Sequence, residues 1–286
     1  MKLFLRLLAA IALVLAATGA HATITCTSIT SSGFTSAYVP NSTVALQLSF
    51  TITCNRGSAS DPTTLSYSVK ADNGLTSQGN ANRASLSLGG ATSYIFYDVY
   101  TPSCAGVQWK NNVSISGTVA WAQTQTGNST DTQPYWACIV TAQNPTTAGS
   151  YTDTIGIGAT YSSGTGNVTL GGTIPVTIYA PANCLINPAP GGVSLTYNAF
   201  TQNPVSGTTT FGATCTSPMP YSLAVSPATG TLAGINYNVN LNTPSAVGTG
   251  NLQMFTITVT APPGQAGTCA GASCTATQTH TLTVTY

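Results

Sequence analysis

Beyond residue 22 the apolar positions of this chain recur at every second residue. They come in short runs broken by Gly, Pro, Asn and Ser. LQLSFTITC (46–54), LSYSVKA (65–71), TSYIFYDVY (92–100), YTDTIGIGATY (151–161) and GTIPVTIYA (172–180) are such runs. GTTTFGATC (207–215), YSLAVSP (221–227), INYNVNLNT (235–243) and THTLTVTY (279–286) continue the series. Alternation of this kind puts one face of a strand against a core and the other in water. No window after residue 22 sustains a 3.6-residue apolar period, so the spacing predicts an all-β protein. Short strands with turn residues between them describe immunoglobulin-like sandwiches.

The runs also repeat in order. Each half opens on a cysteine near an apolar strand and reaches a second strand that closes on a cysteine. Each then passes a Tyr-containing strand and a late turn, AQNPTTAG (142–149) or APPGQAG (261–267), before its terminal strand. Two tandem sandwiches are therefore expected, over 23–181 and 182–286, with the boundary at the Ala-Pro-Ala-Asn of 180–183. Aligned on Tyr161 and Tyr286, the terminal strands share one inward register. Ile155, Ile157, Ala159 and Tyr161 match His280, Leu282, Val284 and Tyr286. After the first copy the chain supplies another alternating strand through Ile174, Val176 and Ile178; nothing follows the second. The second sandwich is thus expected to be incomplete, lacking its last strand. It would offer His280, Leu282, Val284 and Tyr286 as an acceptor edge for a strand from another molecule. Four or five inserted apolar side chains would contribute on the order of 10 kcal/mol. Only Thr23, Ile24 and Thr25 separate the expected cleavage site from Cys26. The chain is therefore expected to receive a strand and to have none to give, which places it at one end of a polymer.

Lys2 and Arg6, the apolar run 7–17 and the Ala-His-Ala of 20–22 read as a cleaved export signal over 1–22. No stretch is long enough to span a bilayer as a helix. Charge is sparse beyond the signal. Arg56, Lys70, Arg83 and Lys110 face Asp61, Asp72, Asp98, Asp131 and Asp153, and no Glu occurs anywhere. Such a surface cannot neutralise phosphates, which argues against nucleic acid. Eight cysteines in an exported chain imply disulfides. Pairing within each half leaves three arrangements per half, nine together. The favoured set is Cys26–Cys54, Cys104–Cys138, Cys184–Cys215 and Cys269–Cys274. A zinc site is disfavoured, because no His lies near a Cys-x-x-Cys pair.

The AGSYTDTIGIGATY ending of the first half, the PPGQAG turn and TLTVTY ending of the second, and the early cysteine pairs resemble the spore coat protein U domain. This is the module of archaic, Csu-type chaperone–usher fimbriae. The resemblance implies incomplete sandwiches held by a periplasmic chaperone's strand. Each is then passed, at an outer-membrane usher, to an adjacent pilus subunit. Two-domain members without an N-terminal extension resemble tip adhesins. The first half departs from the pattern: it reads Ala137-Cys138 where the family often has Gly-Arg, and it carries an insertion around 102–134.

Catalysis is poorly supported. His280 is the one histidine beyond the signal, and no nucleophile–base pairing or motif presents itself. No enzyme activity, cofactor or metal is expected. The tryptophans Trp109, Trp121 and Trp136 all lie in the first half amid Gln, Thr and Asn. Trp109, Trp121 and Tyr135 are the candidates for an exposed binding surface, with Trp136 assigned to the core. Asp153 is expected to be a hydrogen-bonded core carboxylate, and His280 a partly buried structural residue. The expected function is a tip adhesin at the cell surface, which binds a surface or receptor through its first half. The alternatives are a non-adhesive pilus or coat subunit, or a carbohydrate-binding lectin.

Overall fold

The computed structural model describes residues 24–79, 81–88, 90–110, 112–163 and 166–286. The proposed export signal lies outside them. The regular structure of the described residues is all β. The first half contains β1 (Thr25–Ser31), β2 (Phe34–Ala37), β3 (Val44–Arg56), β4 (Thr64–Ala71), β5 (Asn82–Leu88) and β6 (Ala91–Thr101). The short β7 (Val107–Gln108), β8 (Ile115–Ala120), β9 (Gly127–Ile139), β10 (Gly149–Ser162) and β11 (Asn167–Ala180) follow. The second half contains β12 (Cys184–Ile186), β13 (Val205–Cys215), β14 (Pro220–Ser226) and β15 (Thr229–Leu232). It closes with β16 (Ile235–Leu241), β17 (Ser245–Val247), β18 (Leu252–Ala261) and β19 (Thr281–Thr285).

The first half is one curled sheet in the order β1-β3-β9-β6-β5-β10-β11-β2, with β4 bridging β10 and β8. It wraps a core in which Phe50, Ile52, Tyr97, Val99, Tyr135, Ile155, Ile174 and Ile178 are buried. The alternation along β10 explains its place. Tyr151, Asp153, Ile155, Ile157, Ala159 and Tyr161 turn inward, and the residues between them stay at least partly exposed. β11 continues the rule with Ile174, Val176, Ile178 and Ala180 buried.

The second half repeats the ladders of the first. β12–β13, β13–β18, β18–β16 and β16–β15 reproduce β1–β3, β3–β9, β9–β6 and β6–β5. β14–β19 and β14–β17 reproduce β4–β10 and β4–β8. Its core gathers Phe211, Tyr221, Leu223, Tyr237, Val239, Phe255 and Ile257. The β15–β16 hairpin turns on Ala233 and Gly234, both at positive φ, which suits the twist of a two-residue turn. The described residues contain no counterpart to β11 or β2.

Cysteines mark the repeat. Cys26 and Cys54 face each other across β1 and β3, as Cys184 and Cys215 do across β12 and β13, and each pair is a disulfide. Cys104–Cys138 pins the turn between β6 and β7 to β9, and Cys269–Cys274 closes a small exposed loop before β19.

Candidate functional site

β10 is paired along both edges, with β4 and β5 on one side and β11 on the other. β19 is paired along one edge only. Leu282 and Val284 lie opposite Val225 and Leu223 of β14, and no described strand bonds the outer edge of β19. The register matches the first half, where Ile157 and Ala159 lie opposite Ala71 and Val69. Burial does not match. Ile157 and Ala159 are buried, whereas Leu282 and Val284 remain half-buried. The uncovered flank of β19 therefore combines unpaired backbone with incompletely covered apolar side chains.

The segment 193–197 forms a second open stretch. Val193, Leu195 and Tyr197 are half-buried and alternate with exposed Ser194 and Thr196, yet this segment belongs to no ladder. Its counterpart by chain position is β2, which pairs in parallel with β11. Val193 and Leu195 press on Gly207 of β13, where an added Cβ would come within 2.7 Å of Val193 Cγ1. Leu195 and Tyr197 pack on the core that Leu282 and Val284 also touch. A strand in the place that β11 takes in the first half would have β19 on one side and 193–197 on the other.

The edge begins at a polar cluster. The Pro227 carbonyl accepts from His280 Nδ1 at 2.7 Å, and Nε2 lies 3.0 Å from the Tyr237 hydroxyl. That hydroxyl also bonds Gln278 Oε1. Both ring nitrogens of His280 are thus occupied within the fold, and the ring stands edge-on to Tyr237. The inward alternation covers His280, Leu282 and Val284 and stops there. Tyr286 is 58% exposed, so it does not belong to the apolar row that the alignment with Tyr161 predicts. It lies beyond the last ladder pair, Ser222 with Thr285.

The three residues expected at an exposed aromatic surface, Trp109, Trp121 and Tyr135, are buried instead. Trp109 is fully buried: it stacks on Phe50, tilts against Tyr135 and donates its indole N–H to the Val69 carbonyl at 3.0 Å. Trp121 is buried and donates to the Gly127 carbonyl. Tyr135 is buried, with its hydroxyl 2.7 Å from Ser31 Oγ. All three occupy the core because an apolar ring gains most from burial when its one polar group finds a partner. Trp136, assigned to the core from sequence, is the half-exposed one, since it follows Tyr135 and β9 alternates.

A residue that the sequence reading missed organises one end of the first half. Arg56 is buried at the end of β3. Its guanidinium donates to the carbonyls of Ala59 and Asp61 in one loop and of Ala122, Gln123 and Gln125 in another. The planar fork of an arginine suits several carbonyls at once. Elsewhere Asp153 is buried as expected, accepting from the Tyr97 hydroxyl and the backbone N–H of Leu75 and Thr76. Among the described residues no three His, Cys, Asp or Glu side chains converge as a metal site would require, and no helix is long and apolar enough to cross a membrane.

The Spore Coat Protein U domain matches residues 10–158. No curated protein matches the chain. Among solved structures, the chain is similar to the chaperone–tip adhesion subunit pre-assembly complex of the archaic chaperone–usher Csu pili of Acinetobacter baumannii. Identity is 11%, coverage is 90% of this chain and 99% of that one, and the TM-score is 0.46. It is similar to the CupB6 tip adhesin from Pseudomonas aeruginosa at 12% identity, with 92% and 94% coverage and a TM-score of 0.36. It is also similar to the CooA pilin subunit from enterotoxigenic Escherichia coli at 18% identity, with 55% and 98% coverage and a TM-score of 0.34.

Proposed function

The chain belongs to the Spore Coat Protein U domain family, and from that membership we propose that it is a subunit of an archaic chaperone–usher pilus that accepts a donor strand along β19. The two halves are two sandwich domains, 23–181 and 182–286. The second is held by a periplasmic chaperone after export and completed, at an outer-membrane usher, by a strand from an adjacent subunit. The first half takes the surface-binding role of a tip adhesin. The observation that carries this reading is the one-sided pairing of β19, set against the two-sided pairing of β10 in the same register.

Expression of the exported chain without its chaperone tests the proposal. Aggregation or degradation is expected, with rescue by co-expressed chaperone. A monodisperse, heat-stable monomer without any partner would sink it. One observation favours a non-adhesive structural subunit as the second reading: Trp109, Trp121 and Tyr135 are all buried. Attachment of pili carrying or lacking this subunit separates the two readings.

A further inference from the structure

One outward-facing row of the sheet differs sharply between the two halves. Gln47 stands as far before Cys54 as Thr208 stands before Cys215, so the matching disulfides put them at the same point of the repeat. Gln47 pairs with Trp136, and Thr208 with Thr258. Trp136 pairs in turn with Tyr100, and Thr258 with Asn240. The second half therefore crosses its sheet with Thr208, Thr258 and Asn240, and the first half with Gln47, Trp136 and Tyr100. In the first half β7 lengthens the row by Gln108, opposite Tyr100.

Folding does not demand the larger residues, because the second half builds the same ladders with small polar ones. Burial does not demand them either, since Trp136 stays half-exposed while Tyr135 fills the core. Residues opposite one another on neighbouring strands stand about 5 Å apart, so the four side chains form one strip. Its far end is held in place: Gln108 Nε2 donates to Asp98 Oδ2 at 2.8 Å and lies 3.5 Å from the Tyr100 hydroxyl. Among the described residues, Gln108 Oε1 and the side-chain amide of Gln47 have no hydrogen-bond partner. Two residues beyond Trp136, Cys138 faces the same way and is tied to Cys104, so the turn it holds borders the strip. Asp98, opposite Cys138, is met by Lys110 at 2.9 Å. In the other direction Pro134, Thr132 and Thr130 continue an exposed, uncharged line along β9.

A half-exposed indole between unpartnered amides, with no free charge, suits a sugar. The C–H face of a sugar ring covers the indole, and its hydroxyls donate and accept as the amides require. An anionic ligand finds no cation in the strip, because Lys110 is engaged with Asp98. A wholly apolar partner would bury the amides of Gln47 and Gln108 without partners, at a cost.

We propose that this strip is a carbohydrate-binding site. A neutral sugar ring stacks on Trp136, Gln47 and Gln108 bond its hydroxyls, and the saccharide runs along β9. The inference rests on the surface-binding role proposed for the first half and names the ligand class.

Titration of the full chain, purified with its chaperone, tests it. The probes are neutral hexasaccharides of glucose, galactose and mannose, with oligogalacturonate as the anionic control; the readouts are calorimetry and tryptophan fluorescence. Saturable binding of at least one neutral sugar is expected, with a fluorescence change. Trp136→Thr installs the residue that the second half uses at this place and is expected to keep the native melting temperature. It should abolish the fluorescence change and weaken binding by roughly ten-fold or more. Gln108→Ala is expected to weaken binding several-fold. Undiminished binding by Trp136→Thr, preference for the anion, or binding of none of the neutral sugars would overturn the assignment. The surface-binding role would survive that result if pili lacking the subunit fail to attach. Pili that attach equally well without it would overturn the role and the assignment together.

Discussion

The Tyr97 hydroxyl donates to Asp153 Oδ2 at 2.7 Å in the interior of the first half. The same bond recurs in the second half between Tyr237 and Gln278. Gln278 stands two residues before His280, and Asp153 stands two before Ile155, in the shared register. The repeat therefore keeps a tyrosine-to-acceptor bond at the start of its terminal strand while changing the acceptor.

In the first half that acceptor also holds the backbone N–H of Leu75 and Thr76. Burial, then the charge of Asp153, pushes the Tyr97 hydroxyl far above its ordinary pKa, which keeps it a donor. Asp153→Ala leaves these donors without an acceptor and is expected to cost about 3 kcal/mol in urea unfolding. Asp153→Asn retains one carbonyl oxygen and is expected to cost less than half as much. Equal losses for the two variants would show that charge, not the bond pattern, is what matters.

Asp98 and Lys110 form an ion pair at 2.9 Å, each side chain about one-tenth exposed. Gln108 Nε2 donates to the second Asp98 oxygen. Burial raises the Asp98 carboxyl above its ordinary range, against the opposing pull of Lys110. Asp98→Asn strands a buried ammonium and is expected to cost about 3–5 kcal/mol. Replacing both partners, Asp98→Leu with Lys110→Met, is expected to recover most of that loss. A double variant as unstable as the single one would mean that the pair contributes through contacts other than its charges.

Asp131 is expected to govern the acid side of stability. Burial works against its ionised form, but hydrogen bonds from Tyr67, Gln133, Thr118 and Thr132 together outweigh burial and hold its carboxyl below the ordinary range. A group lowered in this way binds more protons when unfolded. Its contribution is therefore present above the ordinary carboxylate value of about 3.9 and is lost as pH falls through the folded value. The stability difference between the native chain and Asp131→Asn should shrink as pH drops from about 6 to about 2. A difference independent of pH would place the effect outside the ionisation of Asp131.

The strands and the order in which they repeat were legible because both rest on alternation, which a single sequence displays. The inward rows of β10, β11 and β19 are period-two patterns that survive folding unchanged, apart from Tyr286 beyond the last pairing. What the sequence hid was the depth of the first core. Trp109 and Trp121 sit among Gln, Thr and Asn, and that company suggested solvent. Their indole N–H groups instead reach backbone carbonyls of distant residues or a neighbouring turn, a match no spacing announces. Arg56 was invisible for the same reason: its carbonyl partners belong to two loops that only the tertiary fold brings together.

The tryptophans allow a direct separation of folding from attachment. Trp109→Ala removes a buried ring between Phe50 and Tyr135 and is expected to cost about 3–5 kcal/mol. Trp136 is half-exposed on β9, and Trp136→Ala is expected to cost about 1 kcal/mol or less. If the first half binds a surface, attachment by Trp109→Ala pili, measured below the melting temperature of the variant, should stay at the native level. A loss under those conditions, with near-ultraviolet circular dichroism otherwise native, would mean that Trp109 leaves the core to meet its ligand. The same assay on Trp136→Ala asks whether the half-exposed ring makes contact, and a reduction there without loss of stability would place the binding surface on the outer face of β9.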